Sequence, residues 1–272
     1  MKKILFLFLV IGLMHSCKHD DHGHKKDGKH AHDHGHDHDH DAKSHSTIDY
    51  PDGMDKVFDH HGSLAKWNKM ESMSYDIVKE EGNENQKIDL HSRAERIKGS
   101  AFESGYDGKN YWVVADTSYK GNPKFYTNLM FYFYAMPFVL ADEGIVYTEV
   151  DPLEFDGKKY PGYKISYNNG VGISPEDEYF IHYDAATNEM AWLGYTVTFF
   201  SGKPSDKISW IRYDDWKNIN GLKLPNTLSW YGSKDGKITE LRNKREFANI
   251  SVSEKEFPEG TLTMPQGAKV VE

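Results

Sequence analysis

Six histidines, His30, His32, His34, His36, His38 and His40, recur at every second position, interleaved with Asp33, Asp37 and Asp39. In locally extended chain alternate side chains point the same way, so neighbouring imidazoles can converge on one ion. Neutral imidazole with added carboxylate suits zinc, copper or nickel. The surrounding stretch from Lys18 to Ser46 holds ten His, five Lys and seven Asp and no Ile, Leu, Val, Met or aromatic residue. Such a stretch has nothing to bury against the entropy of ordering and reads as a disordered tether. Without preformed geometry it would hold several ions and exchange them fast, as a reservoir does, and the same composition also serves as a hydrophilic spacer. The sequence requires no cofactor, and Zn, Cu or Ni on this tract is the metal it can offer.

Arginine on a strand can grip a carboxylate or phosphate head group bidentately, which directs attention to Arg93, Arg96 and Arg212. Trp192, Trp210 and Tyr132 can line the apolar part of such a site; the competing reading has the rings filling core and the arginines snorkelling outward. His182 sits in an aromatic strand with Glu178 close by, and Glu176-Asp177-Glu178 and Asp214-Asp215 are paired carboxylates of the kind acid-base chemistry uses. Next to turns, such carboxylates read as solvated charge. G-x-S-x-G, H-E-x-x-H and G-x-x-x-x-G-K-[ST] are absent from the sequence. Asn169-Gly170-Val171-Gly172 begins like a dinucleotide loop, but Pro175 stands where the last glycine belongs, so it reads as a hairpin turn. No catalytic set emerges, and the expectation is a protein that is not an enzyme, with an unrecognised active site as an alternative. A formal charge of −9 disfavours nucleic acid, whose phosphates need clustered Lys and Arg.

The single cysteine, Cys17, excludes an intrachain disulfide framework. It follows Lys2 and Lys3, an apolar run from Ile4 to Met14, and the small Ser16. The run is eleven residues, too short for a bilayer that needs about 20 as a helix. Residues 1–16 therefore read as a signal peptide. Met14-His15-Ser16-Cys17 resembles a bacterial lipobox, with His15 its unusual member, so Cys17 is the expected site of lipidation, palmitate included. Stable anchoring takes more than one acyl chain. Lys18, in place of Asp, resembles the sorting pattern of outer-membrane lipoproteins, and Lys18-His19-Asp20-Asp21 resembles a surface-export signal. The expected location is the outer membrane, surface-exposed or else facing the periplasm.

These groups need a scaffold. Of 14 Phe, 17 Tyr and 6 Trp, only Phe6 and Phe8 precede Thr47, so one domain over 47–272 is expected after a tether over 17–46. It opens on a helical pattern, with Met54, Val57, Phe58, Leu64 and Trp67 at spacings of three, four and seven, broken at His60-His61-Gly62. His60 and His61 could suggest a metal pair, but adjacent helical residues do not face each other, so they read as a helix end or turn. Turn pairs then arrive often, at Asp107-Gly108, Asp156-Gly157, Asn169-Gly170, Ser201-Gly202, Asn220-Gly221 and Asp235-Gly236. Between them lie strand-like runs: Tyr111 to Asp116, Tyr163 to Tyr167, Tyr179 to Asp184, Met190 to Phe200, Ile208 to Tyr213 and Leu224 to Tyr231. Phe125 to Ala141 is seventeen residues without a charge and carries Asn128 and Pro137. It reads as a buried helix with Leu129, Phe133, Met136 and Leu140 in one stripe and a break near Pro137. The expected fold is mainly β (α+β): an antiparallel curved sheet or half-barrel of about eleven strands wrapped around a buried helix, with an N-terminal helix.

His61-Gly62-Ser63-Leu64-Ala65-Lys66-Trp67, the Tyr106-Asp107-Gly108-Lys109 turn, the segment Asn128 to Phe138 and Asn220-Gly221-Leu222-Lys223-Leu224-Pro225 carry a resemblance. Over the whole folded part the chain resembles a family of bacterial outer-membrane lipoproteins of unknown function. More distantly it is similar to the LolA and LolB lipoprotein carriers, whose half-barrel wraps helices around an acyl-chain cavity. The resemblance implies a lipid-anchored carrier, receptor or scaffold that takes a lipid or apolar small molecule between sheet and aromatic helix. It supplies no catalytic residues, and the His tract lies outside the shared pattern. The alternative is a surface lipoprotein that buffers zinc or another transition metal through the tether. Oligomeric state has no signature in the sequence.

Overall fold

The computed structural model describes residues 50–271 apart from 118, 143, 168–176, 198–204, 206 and 235. The signal peptide, Cys17 and the histidine tract lie outside the described residues, as do the turn pairs Asn169-Gly170 and Ser201-Gly202.

The chain enters on α1 (Asp52–His60), whose Met54, Val57 and Phe58 lie on one buried face, followed after His61-Gly62 by the single turn α2 (Leu64–Trp67). Five strands then run as a meander: β1 (Ser72–Ile77), β2 (Glu84–Asp89), β3 (Glu95–Lys98), β4 (Phe102–Tyr106) and β5 (Tyr111–Ala115). A helical insertion follows, made of α3 (Pro123–Tyr126), α4 (Leu129–Tyr134) and a 3-10 turn (Phe138–Ala141). Seven strands form a second meander: β6 (Ile145–Phe155), β7 (Lys158–Tyr167), β8 (Tyr179–Tyr183), β9 (Met190–Tyr195), β10 (Ser209–Ile219), β11 (Leu222–Lys234) and β12 (Lys237–Ser253). Finally β13 (Lys269–Val271) returns to pair with β5.

The two meanders fuse where β1 meets β12, with Ser72 opposite Ser253 and Ile77 opposite Phe247. One antiparallel, curved, unclosed sheet results, in the order β13-β5-β4-β3-β2-β1-β12-β11-β10-β9-β8-β7-β6. Asp156-Gly157 and Asn220-Gly221, all four at positive φ, turn β6 into β7 and β10 into β11, the hairpin geometry that such pairs favour. Breaks in register within β1, β6 and the β11–β12 pair bend the sheet. Among the described residues thirteen strands stand against the roughly eleven expected; the four-residue β3 and three-residue β13 are too short for alternation to reveal.

The insertion fills the concave side. Phe131 and Tyr134 are fully buried, and the Tyr134 ring packs against Tyr75 and Phe247 of the sheet with centroids 4.4 Å away. It is not the single helix expected. Thr127 leaves the helical region at ψ 132° and Asn128 is left-handed at φ 62°, which separates α3 from α4. Of the expected stripe Met136 and Leu140 are buried, whereas within α4 Leu129 and Phe133 are half-buried and Met130, Phe131 and Tyr134 take the interior. The turn at Asn128 resets the helical phase that the sequence pattern assumed to be continuous.

Three polar side chains of β2 and β3 are buried beneath this insertion: Glu84, Gln86 and Glu95. Tyr126 donates its hydroxyl to Glu84 Oε1 at 2.6 Å, Gln86 donates to the same oxygen at 2.8 Å, and the Lys79 ammonium pairs with Oε2. Tyr75 donates to Gln86 Oε1 at 2.6 Å. Glu95 accepts the backbone N–H of Asn128, pinning the left-handed residue to the sheet. Burial, against the pull of that N–H and reinforced by the Glu84 charge, pushes the Glu95 carboxyl up to about 8.

The folded chain thus retains a proton on Glu95 between pH 4.5 and about 8 that the unfolded chain has released, so this group's stabilisation is present at low pH and lost as pH rises through that window. Glu95→Gln is expected to remove that dependence. Urea unfolding from pH 6.5 to 8, above the range of buried histidines, should show wild-type stability falling by up to about 1.4 kcal/mol per pH unit relative to the variant. Parallel pH profiles would refute the assignment.

Candidate functional site

The inner faces of β7 to β10 are occupied by Ile165, Ile181, Leu193 and Ile211, all fully buried in the core beneath the insertion. Strand alternation therefore sends the residues between them to the outer face. Two cross-strand rows lie there. One runs Val150, Gly162, His182, Trp192, Arg212; the other runs Phe180, Gly194, Trp210, Tyr231.

Each row contains a glycine with a ring laid over it. A Cβ on Gly162 would stand 2.4 Å from His182 Nδ1, and one on Gly194 would stand 2.7 Å from Trp210 Cζ3. Lacking side chains, these positions let the imidazole and the indole lie against the sheet, with centroids 5.6 Å apart. The indole belongs to a second apolar cluster of Tyr160, Ala191, Trp192 and Trp210. The end of the β6–β7 hairpin covers part of it, Phe155 meeting Trp192 edge-on at 4.7 Å and Tyr231 at 5.8 Å.

Where this cover stops, a cleft of about 690 Å³ opens between the β6 segment 149–154, the β11–β12 turn at Gly236 and Lys237, and a floor of Phe180, His182 and Trp210. The register break between Val150 and Leu153 places Asp151 and Pro152 in its wall. Asp151 is exposed on its rim, while Glu149, opposite Tyr163 and acting electrostatically on Tyr183, shares the parity of the core-facing residues. Glu154 pairs with Lys159 at 2.9 Å.

His182 is 3% exposed, and its Nδ1 lies 3.0 Å from the carbonyl of Tyr160. A carbonyl can only accept, so the Nδ1 tautomer is assigned and Nε2 keeps its lone pair. Burial drives the imidazole down to about 4, the carbonyl bond opposing it in part. His182 is a neutral acceptor, oriented by a carbonyl and not by a carboxylate.

Of the residues expected to bind ligand, Trp192, Trp210 and Arg212 come together here, though on the outer face and not against the helical insertion. The alternation set by Leu193 and Ile211 decides that. The Arg212 guanidinium stacks 5.5 Å from the Tyr160 ring and 5.2 Å from Trp192, and donates to Asp214 at 3.1 Å and to the Tyr160 hydroxyl at 3.2 Å. Arg93 is in the β2–β3 turn, not on a strand, at φ 61°. It lies over the Phe131 ring at 5.0 Å, donates to the Leu90 carbonyl and is 3.6 Å from Asp142. Arg96 is bound to Glu103 and to the Thr261 carbonyl, above Trp112. Tyr132 is 39% exposed on α4. Phe180 and the two glycines were not anticipated; glycine inside an aromatic strand, at 162 and 194, is the signal that marks them.

Elsewhere His60 ends α1 and contacts Lys223 and Glu189, while His61 donates Nδ1 to Val57 and is pushed down to about 3 by burial. Glu178 pairs with Lys164 and Asp215 with Lys217; Glu176 lies outside the described residues. Among the described residues no three His, Cys, Asp or Glu are grouped to hold a metal, and no helix is long and apolar enough to cross a membrane.

No family model and no curated protein matches the chain. Among solved structures it is similar to a DUF1329 family protein from Desulfovibrio piger, at 10% identity and TM-score 0.42, covering 74% of this chain and 93% of that one. It is also similar to a LolA superfamily protein from Nitrosomonas europaea, at 7% identity and TM-score 0.40, covering 71% and 88%. A domain assigned to outer membrane lipoprotein sorting, from Vibrio parahaemolyticus, gives 9% identity and TM-score 0.37, covering 73% and 94%. At these levels the likenesses transfer no residue's role.

His182 should remain uncharged at physiological pH: its imidazole resonances in NMR are expected to titrate near 4, and a midpoint near 6.5 would contradict the burial described. Gly194→Ala should displace the Trp210 indole and cost about 1–3 kcal/mol in urea unfolding, as overpacking does. A change below about 0.5 kcal/mol would show that the ring is not held over Gly194.

Proposed function

We propose that this chain is a lipid-anchored protein of the outer membrane, tethered through Cys17, that binds an amphiphilic molecule without covalent chemistry and serves as receptor or scaffold. The observation that carries this reading is the outer-face cleft, which joins an aromatic floor to a charged rim and so matches a molecule with one apolar and one polar part. The concave side favours receptor or scaffold over carrier, because the insertion occupies it with Phe131 and Tyr134 at 0% exposure. Arg212 supports the structure of the cluster, its guanidinium being engaged by two rings, a carboxylate and a hydroxyl. The absence of covalent chemistry is argued from His182, whose Nδ1 meets a carbonyl and whose charge is suppressed.

Metabolic labelling with palmitate tests the anchor. Label should enter the wild-type protein and be lost on Cys17→Ser, and an unlabelled wild type would end the envelope-anchored reading. Native mass spectrometry with added short-chain detergents should show one molecule retained per chain and weakened retention in Trp210→Ala; no retained amphiphile would remove the receptor reading.

A second reading is metal buffering by the tether, favoured by the alternate spacing of His30 to His40. Zinc calorimetry on the full chain and on a chain starting at Thr47 should give several weak sites in the first and none in the second. Equal uptake by both would take the tether out of metal binding.

A further inference from the structure

The charges of the outer-face cleft cancel. Glu154 and Lys159 form one ion pair at 2.9 Å on the hairpin wall. The rim adds one carboxylate, Asp151 of β6, and one ammonium, Lys237 of the β11–β12 turn, both exposed. The Lys237 charge acts on Glu154, so the turn stands within electrostatic reach of the β6 wall. Glu149 does not enter this balance, because its carboxylate has the core-facing parity of β6 and acts on Tyr183. His182 on the floor is buried and uncharged. A head group of either sign would lose hydration here and meet no net opposite charge, so the loss is not offset. What the cleft supplies is hydrogen-bonding direction. The Lys237 ammonium only donates and the Asp151 carboxylate only accepts, while His182, its Nδ1 spent on the Tyr160 carbonyl, has Nε2 left as an acceptor. A hydroxyl does both, so neighbouring hydroxyls of one head group can accept from Lys237 and donate to Asp151 and Nε2. Gly236 leaves room for such a group at the turn, since a Cβ there would meet no heavy atom within 4 Å. The volume, about 690 Å³, is that of an organic molecule.

We propose that the cleft takes an amphiphile whose head group is uncharged and bears several hydroxyls, a glycoside in chemical class, with the hydroxyls spanning Lys237, Asp151 and His182 Nε2 and the apolar part on Phe180 and Trp210. This rests on the reading of the cleft as an amphiphile site and adds the chemistry of the head group. Binding of this kind has no net ionic component, so affinity does not follow ionic strength. It depends on the two exposed rim side chains as a donor and an acceptor, and a head group that lacks hydroxyls leaves both without a partner.

Calorimetry on the full chain with four probes of equal alkyl length tests this: octyl glucoside, octylammonium, octanoate and the zwitterion octylphosphocholine. Octyl glucoside is expected to bind about fivefold or more tightly than each of the others, and to keep its affinity within about twofold between low and high salt. The double variant Asp151→Ala, Lys237→Ala alters two exposed side chains, removes one charge of each sign and leaves the fold in place, which circular dichroism checks. It should bring the glucoside within about twofold of the ions. An ion or the zwitterion binding as tightly as the glucoside, or a glucoside preference that survives the double variant, would overturn the inference. If all four probes bind alike, the hydroxylated head group fails while the amphiphile site stands; if none binds, both fall. Methyl glucoside separates the two sources of such a head group: heat with both glucosides assigns a sugar recognised on its own, and heat with octyl glucoside alone assigns a glycolipid.

Discussion

A pleated strand sends its side chains to two faces, and in this protein both faces of the same strands must be covered. The constraint is plainest in β9, where Met190 to Gly194 are buried without interruption. Leu193 faces the core beneath the helical insertion, while Trp192 belongs to the outer cluster. One sheet cannot satisfy that alone. The insertion covers the concave side and the end of the β6–β7 hairpin covers part of the convex side, so the long, twisted hairpin and the aromatic segment answer the same physical demand.

The outer cover is incomplete, and its incompleteness is built. Gly162 and Gly194 remove two side chains from rows that would otherwise be continuous, and His182 and Trp210 lie down in the space. The register break in β6 then turns Asp151 and Pro152 into a wall instead of continuing the ladder. A cleft with a ring-lined floor and a carboxylate rim follows from two glycines and one bulge. The same features position His182 so that its Nδ1 bonds to a carbonyl, which fixes the tautomer and leaves a neutral acceptor.

The inner cover depends on polar groups where apolar ones would be expected. Glu84 and Gln86 on β2 and Glu95 on β3 alternate with outward residues, as strand positions do, yet they face the interior. Glu84 is satisfied by Tyr126, Gln86 and Lys79. Glu95 gives the turn at Asn128 an acceptor for a backbone N–H that a broken helix leaves exposed. Segmentation of the insertion and burial of Glu95 are two sides of one arrangement, since its carboxyl receives the backbone N–H that the interrupted helix releases.

The sequence by itself determined the mainly β class, the α1 face through Met54, Val57 and Phe58, and the turns at Asp156-Gly157 and Asn220-Gly221. These depend on local periodicity and on residues that tolerate positive φ, both visible in a short window. It also marked Trp192, Trp210 and Arg212, by residue type and together with Arg93, Arg96 and Tyr132, as candidates to meet a ligand. Only the tertiary structure decided which face they occupy. Parity groups residues without saying which group meets the core, and the choice fell to Leu193 and Ile211 because they meet the insertion. The break at Asn128 was likewise hidden, since its cause is an acceptor on Glu95, 33 positions away in the chain, brought near by the pairing of strands. The cleft joins β6, β8, β10 and the β11–β12 turn, segments that become neighbours once the sheet has formed and curved.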